Sequence, residues 1–286
     1  MTINKIFRFI LFLLLVAFYY SKGISLAASS NEELSTTARL YLGQLFSPDE
    51  RKRVNAALKL SNYKSKIVVE NLLSALIKER SEIVKRIIIR SLGQISSEEA
   101  LPLILDLISN EAIGVRVEAM RTAVKYNSSL VVDAVIRQLK DESPLIRQNA
   151  VLCLGKAEPY DDRIVNELIN ALNDISASVR VAACQSLAEK KSNPAMEHLY
   201  RVLSEDRSNI VRKSAAIAIG NIPGDNAKDY LLIALRDKSP EVRINAAKSI
   251  SLHGLNTGVV EAIEAIKSSN SQIRIIACDI IGLSGN

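Results

Sequence analysis

The chain has 286 residues, 48% of them hydrophobic and 24% charged, a globular composition that excludes intrinsic disorder. Aromatic residues make up only 5% and tryptophan is absent, which disfavours an aromatic-lined pocket; the apolar side chains are mostly Ala, Ile, Leu and Val, suited to closely packed helices. The formal charge of +6 overstates the basicity of the body of the chain. Residues 1–27 carry three Lys or Arg and no acid, which leaves 34 bases against 31 acids, a balance of +3 that argues against a nucleic-acid partner.

Residues 1–28 differ from everything after them. Lys5 and Arg8 precede an apolar run from Phe9 to Tyr20, followed by small residues at Ser25 and Ala27. This order is that of a secretory signal peptide cleaved after Ala27 or Ala28. The run of 12 residues is short of the roughly 20 that cross a bilayer. The expectation is an exported protein, periplasmic or extracellular, attached to a membrane only if this segment is retained.

From residue 32 to residue 284 one phrase recurs. Aligned on a basic residue, taken as offset 0, the copies centre on Arg53, Lys85, Arg116, Arg147, Arg180, Arg212, Arg243 and Arg274, at spacings of 31–33. A period of that size marks stacked supersecondary units. Offset −4 holds Asp49, Ser81, Ala112, Ser143, Ser176, Ser208, Ser239 and Asn270, nearly all helix-capping types, and Pro144 and Pro240 follow where a helix tolerates proline. Gly93, Gly155, Gly220 and Gly282 at offset +8 predict left-handed helix stops. Between these signals, offsets −1, +3 and +7 form an apolar stripe with Ala at +3 in all units but one, where Ile88 stands. A second helix precedes each of these, as in 161–174 with Ile164, Val165, Leu168, Ile169 and Leu172 at helical spacing. Each unit is therefore a pair, helix A then helix B.

This register, written eight times, resembles the HEAT-repeat family in its short bacterial form, the HEAT-like or phycobilisome-lyase-type repeat. The resemblance implies an all-α fold: an α-solenoid, a right-handed superhelix of about eight helix pairs, with helix B on the concave side. It also implies an ion-pair ladder between an Asp at offset −6 and the central Arg of its own or a neighbouring unit. The matching positions are Asp141, Asp174, Asp206 and Asp237 with Arg147, Arg180, Arg212 and Arg243. The ladder is expected to be best formed in units 4–7, and Lys85 departs from the pattern.

No enzyme is expected. The three cysteines read as free thiols, Cys184 and Cys278 as small core residues in line with Ala57 and Ala216. Deoxyhypusine hydroxylase, a HEAT-repeat enzyme, builds a di-iron site from several His-Glu pairs; here only the reversed Glu197–His198 exists, and His253 is the one other histidine. No metal site, cofactor or catalytic set is predicted.

Function should then lie on surfaces. With the stripe buried, offsets −2, +2, +5 and +9 point outward. Units 2–4 show Arg90, Gln94, Arg121, Lys125, Asn149 and Lys156 there, with Glu118 as the sole acid among them. Leu145, Leu152, Ile210 and Ile217 follow in units 4–6. This predicts a groove, basic at one end and apolar in the middle, for a protein segment carrying acidic residues. The final unit, 272–283, is apolar on nearly every side, where a solenoid end calls for a polar cap. The expected function is an exported, non-enzymatic protein-binding scaffold or adaptor. The alternatives are a structural subunit of an envelope complex that docks, or self-associates, through this last repeat, and an enzyme-associated HEAT-like subunit.

Overall fold

The computed structural model describes residues 34–158, 161–224, 226–252 and 258–284. The proposed signal segment and His253 lie outside these residues. Among the described residues the secondary structure is entirely helical, and no helix is long and apolar enough to cross a membrane.

Eight pairs of helices follow one another. The A helices are α1 (Thr36–Gln44), α3 (Lys66–Lys78), α5 (Leu101–Asn110), α7 (Ser129–Gln138), α9 (Asp162–Ala171), α11 (Met196–Glu205), α13 (Ala227–Ala234) and α15 (Gly258–Ala265). The B helices are α2 (Glu50–Leu60), α4 (Glu82–Ile95), α6 (Ile113–Ala123), α8 (Pro144–Lys156), α10 (Ala177–Glu189), α12 (Asn209–Asn221), α14 (Pro240–Leu252) and α16 (Ser271–Ser284). Each helix packs on its own partner and on the pairs before and after it, as in an α-solenoid. Successive B helices lie against one another along their length, whereas successive A helices barely touch. The B row is therefore the inner, shorter rail of the curve.

The stripe accounts for this closeness. Every Ala at offset +3, from Ala56 to Ala277, is completely buried, and Ile88 is buried in the remaining unit. One continuous core runs from Leu45 to Ile250, and a smaller cluster of Ile244, Ala247, Ala262, Ile273, Ala277 and Ile280 closes the last repeats.

Two local expectations are corrected. The glycines at +8 do not stop helices: Gly93, Gly155 and Gly220 lie inside α4, α8 and α12, and the left-handed residues are Ser96, Asn127 and Lys191. Those glycines are notches. A methyl group on Gly155 would meet Ser186 Oγ at 2.5 Å and Cβ at 2.6 Å, and Gly93 and Gly220 stand in the same relation to Thr122 and Ser249. Thr122, Ser186 and Ser249 each occupy offset +6 of the following unit, so the notch lets the next B helix approach. Ser91, Ser186 and Ser249 then donate across the interface to the carbonyls of Ala57, Val151 and Ala216 at offset +4 of the preceding unit.

The caps also differ. Asp49 and Ser81 accept from the N–H groups of Arg51 and Val84, but Ser143, Ser176 and Ser208 make no side-chain cap. There the aspartate at −6 accepts the serine's own N–H, at 2.8 Å for Asp141–Ser143, Asp174–Ser176 and Asp206–Ser208. This closes the A–B turn two residues earlier than a helix cap would.

Candidate functional site

The A–B turns carry the ladder, and its connectivity is uniform. In units 1–7 the central Arg, or Lys85 in unit 2, reaches forward to a carboxylate of the next unit. Arg147 Nε and Nη2 donate to Asp174 at 2.8 Å each; Arg180 and Arg212 bind Asp206 and Asp237 in the same bidentate way at 2.7–2.9 Å. The Nη1 group of each turns back to carbonyls of its own A–B turn, as Arg147 does to Asp141 O and Glu142 O.

The ladder is longer than units 4–7. Arg53 pairs with Glu79, Lys85 with Glu111 and Arg116 with Asp141, so Lys85 is a rung and not a gap. Arg243 pairs with Glu261 from α15, because Ser268 occupies offset −6 of the last unit. Arg147 hydrogen bonding holds the Asp174 carboxyl below its ordinary range, against the opposing effect of burial. At Asp206 and Asp237 burial is the largest single effect and pushes upward, but the hydrogen bonds from Arg180 and Arg212, those from the Ser208 and Ser239 N–H groups and the nearby positive charge together lower both carboxyls. With Nε, both Nη groups and the carboxylates engaged, these rungs fix the register of neighbouring units.

The face of the B row is where unspent groups lie. Arg90 is not free, because its Nε and Nη2 hold Glu118, at 3.0 and 2.8 Å, and Glu118 is buried. Asn149 is also buried rather than outward: it accepts from Arg121 Nη2 at 2.8 Å and donates to Leu145 O. Gln94 touches Asn62 at 3.5 Å, and Leu152 is half-buried against the core. Offset +2 therefore belongs to the repeat interface, because the B helices lie too close together to leave that row in solvent.

Arg90 and Gln94 stay exposed but engaged; Arg121, Lys125 and Lys156 are exposed and form no ion pair among the described residues, and Leu145, Ile210 and Ile217 are exposed with them. Arg121 spends its contact on a neutral amide, so its charge is uncompensated. The apolar series is longer than expected from sequence. Ile83, Ile113 and Ile175 are also exposed, Ile175 by 82%. Ile83 shares offset −2 with Leu145 and Ile210 and was legible in the alignment; Ile113 and Ile175 sit just before the B stripe, in positions that periodicity does not assign to a face.

Cys153 and Cys184 are buried and free, and burial pushes both thiols up to about 12. Cys278 is free but exposed, contrary to its expected place in a core. His198 is exposed beside Glu197, which accepts from Tyr230 Oη at 2.6 Å while Tyr230 stacks on Tyr200. Among the described residues no three His, Cys, Asp or Glu converge as metal ligands would.

The architecture has known relatives. The chain is 29% identical over 180 residues to Protein YibA of Escherichia coli K12, a match covering 59% of this chain and 64% of YibA, so it spans just under two thirds of the relative's length. The X-ray structure of Escherichia coli YibA superposes with a TM-score of 0.55 at 17% identity, covering 89% of this chain and 99% of that one. The complex of CpcE and CpcF of phycocyanin lyase from Nostoc sp. gives a TM-score of 0.47 at 20% identity, covering 90% of this chain and 96% of that one. The family model for HEAT repeats matches residues 39–125, 69–140, 132–220 and 165–251. With the helix pairs, the buried Ala column and the Arg–Asp ladder in place over that same span, the chain belongs to the HEAT-repeat family.

Proposed function

We propose that the protein is an exported scaffold, without chemistry of its own, that holds a protein segment against the exposed face of its B helices. The observation that carries this reading is the trio Arg121, Lys125 and Lys156, three exposed bases in the adjoining units 3 and 4 that pair with no carboxylate among the described residues. Beside them Leu145, Ile210 and Ile217 add exposed aliphatic surface on the same face. Such a surface suits a segment with acidic residues at one end and aliphatic residues at the other, the bases steering the encounter and the aliphatics providing the buried area. Export rests on the composition of residues 1–28.

A photocrosslinking residue placed at Leu145 or Ile210 in living cells tests the reading. One dominant polypeptide adduct is expected, reduced at least about fivefold when Arg121, Lys125 and Lys156 are all changed to Glu. An adduct pattern indifferent to that reversal, or identical to one from Leu130 on an A helix, would sink it. Fractionation of the producing cells tests export: recovery of the chain in the cytoplasm with residues 1–28 still attached would remove that part.

A further inference from the structure

Seven repeat-to-repeat interfaces show what each unit presents to its successor, and the eighth unit presents the same kind of face with nothing on it among the described residues. Offset +4 is the most direct witness. Ala57, Ile89, Met120, Val151, Cys184, Ala216 and Ala247 are all completely buried by the following pair, whereas Cys278 at the same offset is exposed. The notch repeats the pattern: Gly93, Gly155 and Gly220 are filled by the next unit's Thr or Ser, and nothing lies within 4 Å of where a methyl on Gly282 would stand.

The ladder makes the same point with charge. Arg274 Nη1 donates to Ser268 O at 2.8 Å and Ser269 O at 3.0 Å, as every other ladder Arg with such contacts does to its own turn. Its guanidinium is thus oriented as a rung, yet no carboxylate pairs with it among the described residues. Ile275 beside it is 54% exposed.

We infer that repeat 8 is an acceptor face for a further helix pair of the same class, one that brings a carboxylate at its A–B turn to Arg274 and a Ser or Thr to the Gly282 notch. The occupant follows from continuity with the seven interfaces already formed and from the charge of Arg274. A second copy of this chain joined head to tail is a poor occupant. Its first unit offers Ser47 where the carboxylate belongs and the long, exposed Lys59 where Ser or Thr belongs. This inference is independent of the B-face reading, since it uses none of the same residues.

The mismatch supplies the experiment. Changing Ser47→Asp and Lys59→Ser in the full chain gives its own first unit the missing complement. Ser47 Oγ already accepts the Asp49 N–H, the bond that Asp makes in units 4–6, so the turn tolerates the change. The double variant is expected to form concentration-dependent head-to-tail oligomers in sedimentation, with alkylation of Cys278 slowed at least about tenfold. Cys153 and Cys184 are buried and do not obscure that signal. Adding Arg274→Glu is expected to return the monomer and restore Cys278 reactivity. Circular dichroism at each step shows that the helices are intact. A double variant that stays monomeric with Cys278 still reactive, or oligomers that persist unchanged with Arg274→Glu, would overturn the inference.

Discussion

Repeats 4–6 and repeat 8 are written in the same residues and behave differently. In the first, Arg147, Arg180 and Arg212 are buried and bidentate, the offset +4 side chains are sealed and the glycine notches are filled. In the last, Arg274, Cys278 and Gly282 hold the same offsets in solvent. In a stack of this kind a unit's half of an interface gains its energetic meaning from the neighbour, so an identical phrase is a core element in one place and a surface in another.

The largest expected contrast is in thiol chemistry. With thiols pushed up to about 12, only about one in ten thousand Cys153 or Cys184 side chains is ionised at pH 8, and both are sealed besides. Cys278 should be alkylated at least about a thousandfold faster in the native protein, as peptide mapping after timed labelling will show. Equal rates for the three would erase the distinction between interior and end.

The ladder gives the next effect. Asp206→Asn removes the charge partner of buried Arg180 and is expected to cost about 3 kcal/mol in denaturant unfolding. Arg274→Ala, at an exposed and unpaired rung, should stay within about 0.5 kcal/mol of the parent. Similar losses from both would mean that the ladder does not depend on a neighbour.

Glycine sharpens the contrast by reversing its sign. Gly155→Ala forces a methyl against Ser186, whose Cα lies 3.1 Å away, and should destabilise by about 2 kcal/mol. Gly282→Ala meets nothing and lies inside a helix, so it should be neutral or stabilise by up to about 1 kcal/mol. Thermal melts of the two variants decide it.

The smallest effect is in pH. Asp141, Asp174, Asp206 and Asp237 have folded-state values below their ordinary 3.8, so the stability they contribute is fully present above that value and is lost as pH falls through the lowered ones. Stability should be flat from neutral pH down to about 5 and then decline, with a shallower decline in Asp174→Asn. A decline of unchanged slope in that variant would detach the ladder from acid unfolding.

Much of this was legible before any coordinates. The stripe at −1, +3 and +7 and the period are short-range or strictly periodic signals that helical geometry turns directly into a stacked fold, and the resemblance they carry implied the ladder residues. The sequence misleads where a residue type serves two purposes. Gly155 reads as a helix stop because that is the commonest use of glycine at a helix end, and here it is a packing notch. Arg90 and Asn149 read as surface because their offsets face outward on an isolated helix, yet Glu118 and Arg121 from adjoining units bind them.

The order of elements, the repeat family and the burial of Ala at +3 were therefore determined by sequence alone, because each depends only on spacing within one unit or on its recurrence, while the pairing role of Arg at 0 was implied by the family resemblance. Which carboxylate each arginine takes and which outward residues are spent between units were decided by the tertiary structure. Those outcomes depend on how close neighbouring B helices lie, a distance set by the Ala column and the glycine notches acting together across two units.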